Sequence, residues 1–191
     1  MKYKEKKFYI ENVSVDRLAK KFNTPLYCYS YKKLKENIIN FKRNFKSFKP
    51  LICFAVKSNT NVNLLREIKK FGFGADVVSI GELLKALKAG INSKKIVFSG
   101  VGKTSSEISY AIEKRIFLIN AESKSEIIEI ERIAKSKNKI VNIGIRLNPN
   151  TDAKTLSQIS TGKKGNKFGV MEKTFLELTN YVKNSKYISL K

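Results

Sequence analysis

The sequence predicts an α/β protein built on a parallel sheet and organised as an incomplete (β/α)8 barrel of the TIM type. Short apolar runs alternate with amphipathic segments of about 10–15 residues, the pattern of strands joined by crossover helices. Six such strands follow one another between Leu51 and Leu190. The chain has 191 residues, whereas a complete barrel typically takes about 250. A doubly wound sheet would show the same alternation, but a final strand without a covering helix would leave a hydrophobic edge. We therefore favour a barrel that is incomplete in this chain, with about six βα units.

The elements that precede the alternating region are predicted from helix and turn signals. Residues 15–22 have the periodicity of a short amphipathic helix, and Pro25 separates them from an apolar run at residues 26–29 that we predict to be a strand. Ser30 is placed to cap a second helix, which extends to about Phe45. The apolar residues of that helix recur at helical spacing and are expected to be buried, at Leu34, Ile38, Phe41 and Phe45.

The rest of the chain is predicted to alternate between strand and helix. Strands are expected at residues 51–57, 75–79, 95–99, 116–120, 141–147 and 187–190. Helices are expected at residues 62–71, 81–88, 105–114, 123–135 and 172–183. Gly90 is placed to end the second of these helices, and Ser123 and Glu126 have the spacing of a capping box. We therefore expect residues 1–30 to form a lead-in helix and strand, and residues 31–191 to form the partial barrel domain.

The strongly basic composition raises nucleic acid or a membrane surface as a partner. The formal net charge is +23, from 39 Lys and Arg residues against 16 Asp and Glu residues. The basic residues occur as pairs spread over the whole length, as at Lys20-Lys21, Lys69-Lys70 and Lys163-Lys164. Because no basic motif is interleaved with aromatic side chains that stack on bases, we predict a solvated basic surface and no nucleic-acid partner. No uncharged run approaches the roughly 20 residues of a membrane span, so no membrane partner is expected.

Residue usage narrows the chemistry and the compartment. The chain has no histidine, the commonest general base and metal ligand, and its two cysteines are far apart in the sequence. We therefore expect no metal site. Cys28 and Cys53 both lie in apolar runs, which is typical of reduced, buried thiols in a cytosolic protein. The charged N-terminus is followed by no apolar segment of a secretory signal, so a cytoplasmic location is predicted.

A single lysine, Lys57, ends the first predicted strand of the sheet. Side chains alternate along a strand, so Lys57 is expected on the same face as Cys53 and Ala55. These two small residues leave space beneath the amine. Two interpretations follow: a lysine that extends to solvent from an ordinary strand, or an amine held at the edge of the sheet for chemistry.

Polar residues recur where the other predicted strands end. Active sites of parallel sheets lie at the carboxyl edge of the strands, so these residues are candidates for a site. The candidates are Lys57, Ser79, Ser99, Asn120, Arg146 and Asn148, with Asp76 and Glu82 on either side of the second strand end. We expect Lys57 and Arg146 to point into one cavity with Asp76 nearby. A buried amine close to a second cation is disfavoured in its charged form and can act as a nucleophile, which is compatible with Schiff-base chemistry.

One further motif, Gly-Val-Gly-Lys-Thr at residues 100–104, resembles the end of a phosphate-binding P-loop because it follows a strand and precedes a helix. The P-loop also requires a glycine five residues before Gly102, where this chain has Val97. No acidic strand end of the Walker B kind accompanies it. We therefore predict that Thr104 or Ser105 caps the following helix, and we do not predict nucleotide hydrolysis.

Ordered segments of the sequence are similar to one enzyme family. Residues 54–59, Phe-Ala-Val-Lys-Ser-Asn, resemble the segment that carries pyridoxal phosphate in the ornithine/diaminopimelate/arginine decarboxylases. The further segments that match in order are 23–27, 74–79, 81–83, 98–104, 120–123, 146–149, 159–162 and 166–169. They are most similar to the branch of the family that acts on diaminopimelate. The resemblance extends from about residue 13 to residue 190 and implies a barrel of the alanine-racemase-like type.

This resemblance implies a cofactor and a reaction. Pyridoxal phosphate would be attached to Lys57 through a Schiff base, and an amino-acid substrate would replace the lysine before losing carbon dioxide. Asp76, Glu82 and Arg146 match polar residues that line the cofactor pocket of the family. The implied function is a carboxy-lyase of lysine biosynthesis that converts meso-2,6-diaminopimelate to L-lysine. Decarboxylation of ornithine, arginine or carboxynorspermidine, and a barrel homologue without catalysis, are the alternatives.

The chain also departs from the family pattern. Leu156 stands where a histidine is common, in the loop from Thr155 to Gly169 that the resemblance places beside the site. The family's ring-stacking histidine, phosphate-binding glycines and substrate-binding residues follow the strand that ends here at Leu190. Its C-terminal β domain, which completes the site across a homodimer, is absent as well. We therefore expect the chain to be the N-terminal part of such an enzyme and to be inactive alone.

Overall fold

The computed structural model describes residues 2–4, 6–151 and 168–191, and the chain forms two compact units, Met1–Pro50 and Leu51–Lys191. Each unit contains one sheet.

The first unit combines a small antiparallel sheet with two helices. The strands are β1 (Lys2–Lys4), β2 (Lys7–Ile10) and β3 (Val13–Ser14), and the helices are α1 (Val15–Phe22) and α2 (Tyr31–Asn44). Ser14 and Ser30 cap the two helices by accepting hydrogen bonds from Arg17 N and Lys33 N. The helices and the Ser30 cap agree with the sequence analysis. The antiparallel sheet was not predicted, because its strands are only two to four residues long and one of them, β1, is fully exposed.

Two expectations for the first unit are wrong. Residues 26–29 do not form a strand, and Tyr27 is 88% exposed. A strand needs a neighbour that exchanges backbone hydrogen bonds with it, and this run belongs to neither sheet of the described structure. The apolar stripe of α2 is also less buried than predicted, because Ile38 is its one buried residue and Phe41 and Phe45 pack on each other while remaining exposed.

The second unit is built on a six-stranded parallel sheet, as the alternating pattern predicts. Its strands are β4 (Cys53–Ala55), β5 (Gly74–Val77), β6 (Ile96–Phe98), β7 (Leu118–Ala121), β8 (Val141–Ile145) and β9 (Ile188–Leu190). Each strand pairs in parallel with the next one in sequence, so the spatial order equals the chain order. A doubly wound sheet reverses its strand order at a switch point, whereas a TIM-type barrel keeps the chain order. The order therefore confirms the incomplete barrel.

Helices connect the strands at the predicted positions. They are α3 (Val62–Lys70), α4 (Ile80–Lys88), α5 (Ser105–Glu113), α6 (Lys124–Ser136) and α7 (Glu172–Lys183), with 3-10 turns at Val56–Ser58 and Ser93–Lys95. Gly90 follows α4 with a φ of 82°, in the left-handed conformation that glycine adopts readily at the end of a helix. In the described part of the chain, no helix combines the length and apolar character needed to cross a membrane.

One face of the large sheet packs against the helices and forms the core. Its side chains come from alternate strand positions and are fully buried, at Ala75, Val77, Ile96, Phe98, Ile119 and Ile143. They pack with helix residues such as Leu65, Leu83 and Ile130. Full burial of each large aliphatic side chain stabilises the fold by about 1.5–3 kcal/mol. Because side chains alternate, the intervening positions, Asp76 and Asn120 among them, point to the opposite face of the sheet.

Carboxylates from the first turns of the helices close the loops at the carboxyl edge of the sheet. Thr104 and Glu107 form a complete capping box at the start of α5. The box predicted at the start of α6 is only half correct. Ser123 Oγ accepts a hydrogen bond from Glu126 N, but the Glu126 carboxylate accepts from the backbone N–H of Glu122, one residue before the cap.

The segment around Lys57 differs from the prediction of a strand that continues to this lysine. Strand β4 ends at Ala55, and the chain turns into the 3-10 helix Val56–Ser58. Ser58 Oγ donates a hydrogen bond to Ala55 O at 2.7 Å, which ties the turn to the end of the strand. Lys57 is therefore outside the alternation of β4 and is exposed, so the predicted face shared with Cys53 and Ala55 is wrong and the amine is not buried.

Candidate active site

A cavity of about 600 Å³ opens at the carboxyl edge of the six-stranded sheet. The charged and polar side chains that line it are Lys57, Asp76, Ser99, Asn120, Glu122 and Arg146. They follow or end five successive strands, from β4 to β8, and were expected at this edge except for Glu122. The structure thus brings Lys57, Asp76 and Arg146 to one cavity, as the sequence analysis proposed.

Lys57 is presented by the turn that follows β4. Parallel pairing places Ala55, two residues before it, directly opposite Asp76 of β5. Within the described part of the chain, the side chain of Lys57 takes part in no hydrogen bond and no ion pair. Its amine is therefore exposed, and no described residue binds it at the mouth of the cavity.

A chain of hydrogen bonds crosses the floor of the cavity over three strands. Asn120 Nδ2 donates to Ser99 Oγ at 3.0 Å, and Ser99 Oγ donates to Asp76 Oδ1 at 2.6 Å. Because a serine hydroxyl has a single proton, accepting from Asn120 directs that proton to the carboxylate. This chain of hydrogen bonds fixes the orientation of the Asp76 side chain.

Arg146 approaches the cavity from the end of β8. Its Nη1 donates to Glu122 Oε1 at 2.9 Å, and the guanidinium carbon lies 4.8 Å from the centre of the Phe168 ring. The side chain of Arg146 is 39% exposed, whereas that of Glu122 is 3% exposed. A buried carboxylate and an aromatic ring therefore hold a partly exposed guanidinium in the lining of the cavity.

Glu82, Ser79 and Asn148 lie outside the lining of this cavity. The Glu82 carboxylate accepts a hydrogen bond from Val78 N at 3.0 Å, and Val78 does line the cavity. Ser79 Oγ accepts from Glu82 N and caps α4. Asn148 Nδ2 donates to Phe168 O. These three residues stabilise the loops that carry the cavity wall.

Lys103, the lysine of the Gly-Val-Gly-Lys-Thr motif, has a structural role as a buried, hydrogen-bonded residue. Its side chain is 1% exposed, and Nζ donates to Gly100 O, Asn120 O and Glu126 Oε1 at 2.6–2.8 Å. All three donors of the ammonium group are thereby used. Thr104 caps α5, as predicted. Lys103 joins the ends of β6 and β7 and is not available to bind a phosphate.

Two residues of this edge, Glu122 and Lys103, were not predicted to have these roles. Glu122 follows β7 directly, at the position where a strand-end residue is expected, so its place in the Asn-Ala-Glu-Ser segment was an available signal. The burial of Lys103 had no local signal. The loop from Thr155 to Gly169, including Leu156, lies outside the described residues up to position 167.

Cys53 is the first residue of β4, at the end of the strand opposite the carboxyl edge, and its Sγ is 3.7 Å from Lys95 O. Burial, and to a lesser extent the negative charge of Asp76, raises the pKa of the Cys53 thiol above its ordinary value. Both cysteines of the chain are free, as the sequence analysis expected, but both are partly exposed and not fully buried. Because the thiolate is the reactive form and a raised pKa lowers its population, the thiol of Cys53 is a poor nucleophile.

Comparison with known proteins identifies a family with the same sequence features. The sequence profile described as "Pyridoxal-dependent decarboxylase, pyridoxal binding domain" matches residues 31–190. A diaminopimelate decarboxylase of Helicobacter pylori is 48% identical over 173 residues, which are 91% of this chain and 43% of that protein. The chain therefore spans less than half the length of this curated relative.

Solved structures extend the similarity to the fold. The crystal structure of Helicobacter pylori diaminopimelate decarboxylase complexed with L-lysine superposes with a TM-score of 0.89 at 46% identity, over 92% of this chain and 44% of that chain. Diaminopimelate decarboxylase from M. jannaschii in co-complex with L-lysine has a TM-score of 0.87 at 37% identity, over 99% of this chain and 45% of that chain. Both matches agree with the partial barrel described above.

Proposed function

Because the chain belongs to the pyridoxal-binding domain family of pyridoxal-dependent decarboxylases, we propose that it forms the lysine-bearing portion of an amino-acid decarboxylase. The cofactor is pyridoxal phosphate. The proposed substrate is meso-2,6-diaminopimelate, and the proposed products are L-lysine and carbon dioxide. The similarity to diaminopimelate decarboxylases supports this choice over ornithine, arginine or carboxynorspermidine.

The cavity fits pyridoxal phosphate in size and chemistry. Its volume of about 600 Å³ lies within the range of about 300–1,000 Å³ that is usual for small-molecule sites. The cofactor carries an aldehyde, which reacts with a lysine amine, and an anionic phosphate. Lys57 offers the amine, and Arg146 adds a second positive charge. The observation that carries the proposal is that the Lys57 side chain has no partner at this cavity among the described residues, whereas Lys103 at the same edge is fully bonded.

The residues of the chain would divide the work as follows. When bound, pyridoxal phosphate supplies an electron sink for the electron pair that remains after carbon dioxide leaves. Lys57 Nζ holds the cofactor, and Arg146 contributes positive charge to the same cavity. Ser99 and Asn120 keep the Asp76 carboxylate oriented through their hydrogen bonds. Glu82 acts from outside the cavity by holding the backbone of its wall.

The first experiment tests the covalent attachment. Pyridoxal phosphate is added to the protein, the product is reduced with borohydride, and the labelled peptide is identified by mass spectrometry. We expect one label, on Lys57, and no label in Lys57→Ala. Lys135→Ala, which removes an exposed lysine of α6, is the control and should be labelled normally. A label spread over several surface lysines, or retained in Lys57→Ala, would contradict the assignment.

The second experiment tests the reaction on the full-length gene product. Release of carbon dioxide is measured with meso-2,6-diaminopimelate, ornithine and arginine as substrates. We expect turnover with diaminopimelate that Lys57→Ala abolishes. We also propose that this gene product is a cytoplasmic homodimer and that the 191-residue chain by itself has no turnover. Faster release from ornithine or arginine would reassign the substrate.

A further inference from the structure

Glu122 is one of two buried polar or charged residues in the described part of the chain, and it is 5% exposed. It follows β7 directly, at the carboxyl edge of the sheet. A buried carboxylate is costly unless charge and hydrogen bonds compensate it. The contacts of Glu122 therefore show which groups compensate the cost of burying its carboxylate.

The Glu122 carboxylate joins three separate segments of the chain. Oε1 accepts hydrogen bonds from Arg146 Nη1 at 2.9 Å and from Gly100 N at 3.1 Å, and Oε2 accepts from Gly169 N at 3.0 Å. Gly100 follows β6 and Arg146 follows β8, so one side chain connects the ends of the strands on both sides of β7.

Both backbone donors are glycines with a positive φ, 92° at Gly100 and 71° at Gly169. Residues other than glycine rarely adopt this backbone conformation. At Gly169 a Cβ would also come within 2.7 Å of Arg146 O. Glycine at positions 100 and 169 therefore allows the two turns that direct these N–H groups towards the Glu122 carboxylate.

The atoms that Glu122 holds belong to the wall of the cavity. Gly100, Arg146 and Phe168 all line it, and Phe168 precedes Gly169. Loss of the carboxylate would leave the guanidinium without its anion and two N–H groups without their acceptor. Removing one partner of a buried ion pair costs more free energy than the pair contributes in net terms, because the remaining group stays buried without a partner.

We propose that Glu122 is a positioning residue, which fixes the Arg146 guanidinium and the turns at Gly100 and Gly169 in the arrangement that binds pyridoxal phosphate. This inference rests on the proposed function, because it assigns a role in binding the same cofactor. Glu122 acts through Arg146 and the two turns, without being required to touch the cofactor.

The test is a double-mutant cycle on the full-length gene product, with Glu122→Gln, Arg146→Met and the combined variant. Glutamine keeps the size of the side chain but removes the charge and one acceptor. We expect Glu122→Gln to weaken pyridoxal phosphate binding, followed by absorbance, by about tenfold or more. In the Arg146→Met background the same substitution should cost no more than about threefold, because its main partner is gone.

A second readout uses the cofactor-free protein. Amide hydrogen exchange at Gly100 and Gly169 should accelerate by about tenfold or more in Glu122→Gln, since both N–H groups lose a buried acceptor. Glu129→Gln is the matched control. It breaks a Glu–Arg pair on the exposed surface of α6, with Arg132, and should change neither quantity.

Three outcomes would overturn the inference: unchanged cofactor affinity in Glu122→Gln, additive effects in the cycle, or unchanged exchange at the two glycines. The exchange measurement needs no cofactor, so it also separates this inference from the proposed function. If the unsubstituted protein binds no pyridoxal phosphate, the proposed function fails, and the binding role of Glu122 falls with it. Accelerated exchange in that case would show that Glu122 holds the turns for another purpose.

Discussion

The side chain of Asn120 lies across Gly144 of the neighbouring strand, in the space that a Cβ atom at position 144 would occupy. This close approach allows the Asn120 carboxamide to reach Ser99 and, through it, Asp76. The glycine of β8 therefore determines the hydrogen-bond chain on the floor of the cavity, although it has no side chain of its own.

Gly144→Ala should displace Asn120 and destabilise the protein by about 1–3 kcal/mol, the usual cost of forcing extra volume into a packed site. The free energy of unfolding in urea measures this. The control is Gly81→Ala in α4, where the nearest atom to a new Cβ is 3.9 Å away. That variant should be more stable by about 0.5–1 kcal/mol, because alanine favours a helix. Equal stability of the two variants would contradict the close approach at Gly144.

Lys103→Met should destabilise the protein by about 3–5 kcal/mol, because it leaves the Glu126 carboxylate buried without its cation. The double variant Lys103→Met/Glu126→Gln should recover part of the loss, since no unpaired charge remains. Lys70→Met is the control. Its partner is Glu67, and its own side chain is 65% exposed, so a change below about 1 kcal/mol is expected. A small effect of Lys103→Met in urea unfolding would argue against the buried ion pair.

The stability of the protein should depend on the ionisation of Glu107. Burial acts to raise the pKa of this carboxyl, but the N–H groups of Thr104 and Ile80 outweigh it, so the pKa lies below the ordinary 4.5. A lowered pKa in the folded state contributes stability above pH 4.5, which is lost as the pH falls through the folded value. Urea unfolding between pH 6 and pH 3 should show a shallower acid loss in Glu107→Gln than in the unsubstituted protein. Identical slopes would disprove the contribution.

The thiol of Cys53 should react slowly with alkylating reagents near pH 8, because burial and the charge of Asp76 raise its pKa. In a Cys28→Ser background, Asp76→Asn should increase the rate by about twofold or more, since the negative charge that opposes the thiolate is removed. After unfolding in urea the two variants should react at the same rate. If Asp76→Asn leaves the native rate unchanged, the electrostatic effect of Asp76 on Cys53 is absent.

The sequence predicted the fold of the second unit well because its signals are local. Apolar runs alternating with amphipathic segments mark strands and helices, and the order of the six strands follows from the barrel architecture. The motifs around Lys57 identified the family and its cofactor, and the family profile confirms both. The first unit was predicted less well, because short exposed strands and an unpaired apolar run have no distinctive periodicity.

The sequence by itself predicted the parallel sheet, its carboxyl edge as the place of a cavity, and the meeting of Lys57, Asp76 and Arg146 there. Only the tertiary structure decided that Lys57 lies on a turn beyond β4 and that the Lys103 ammonium group donates all its hydrogen bonds to three protein acceptors. It also decided that Glu122 binds Arg146. The reason is physical. Alternation and capping act between residues a few positions apart, whereas Glu122 meets partners 22 to 47 positions away, which only the folded chain brings together.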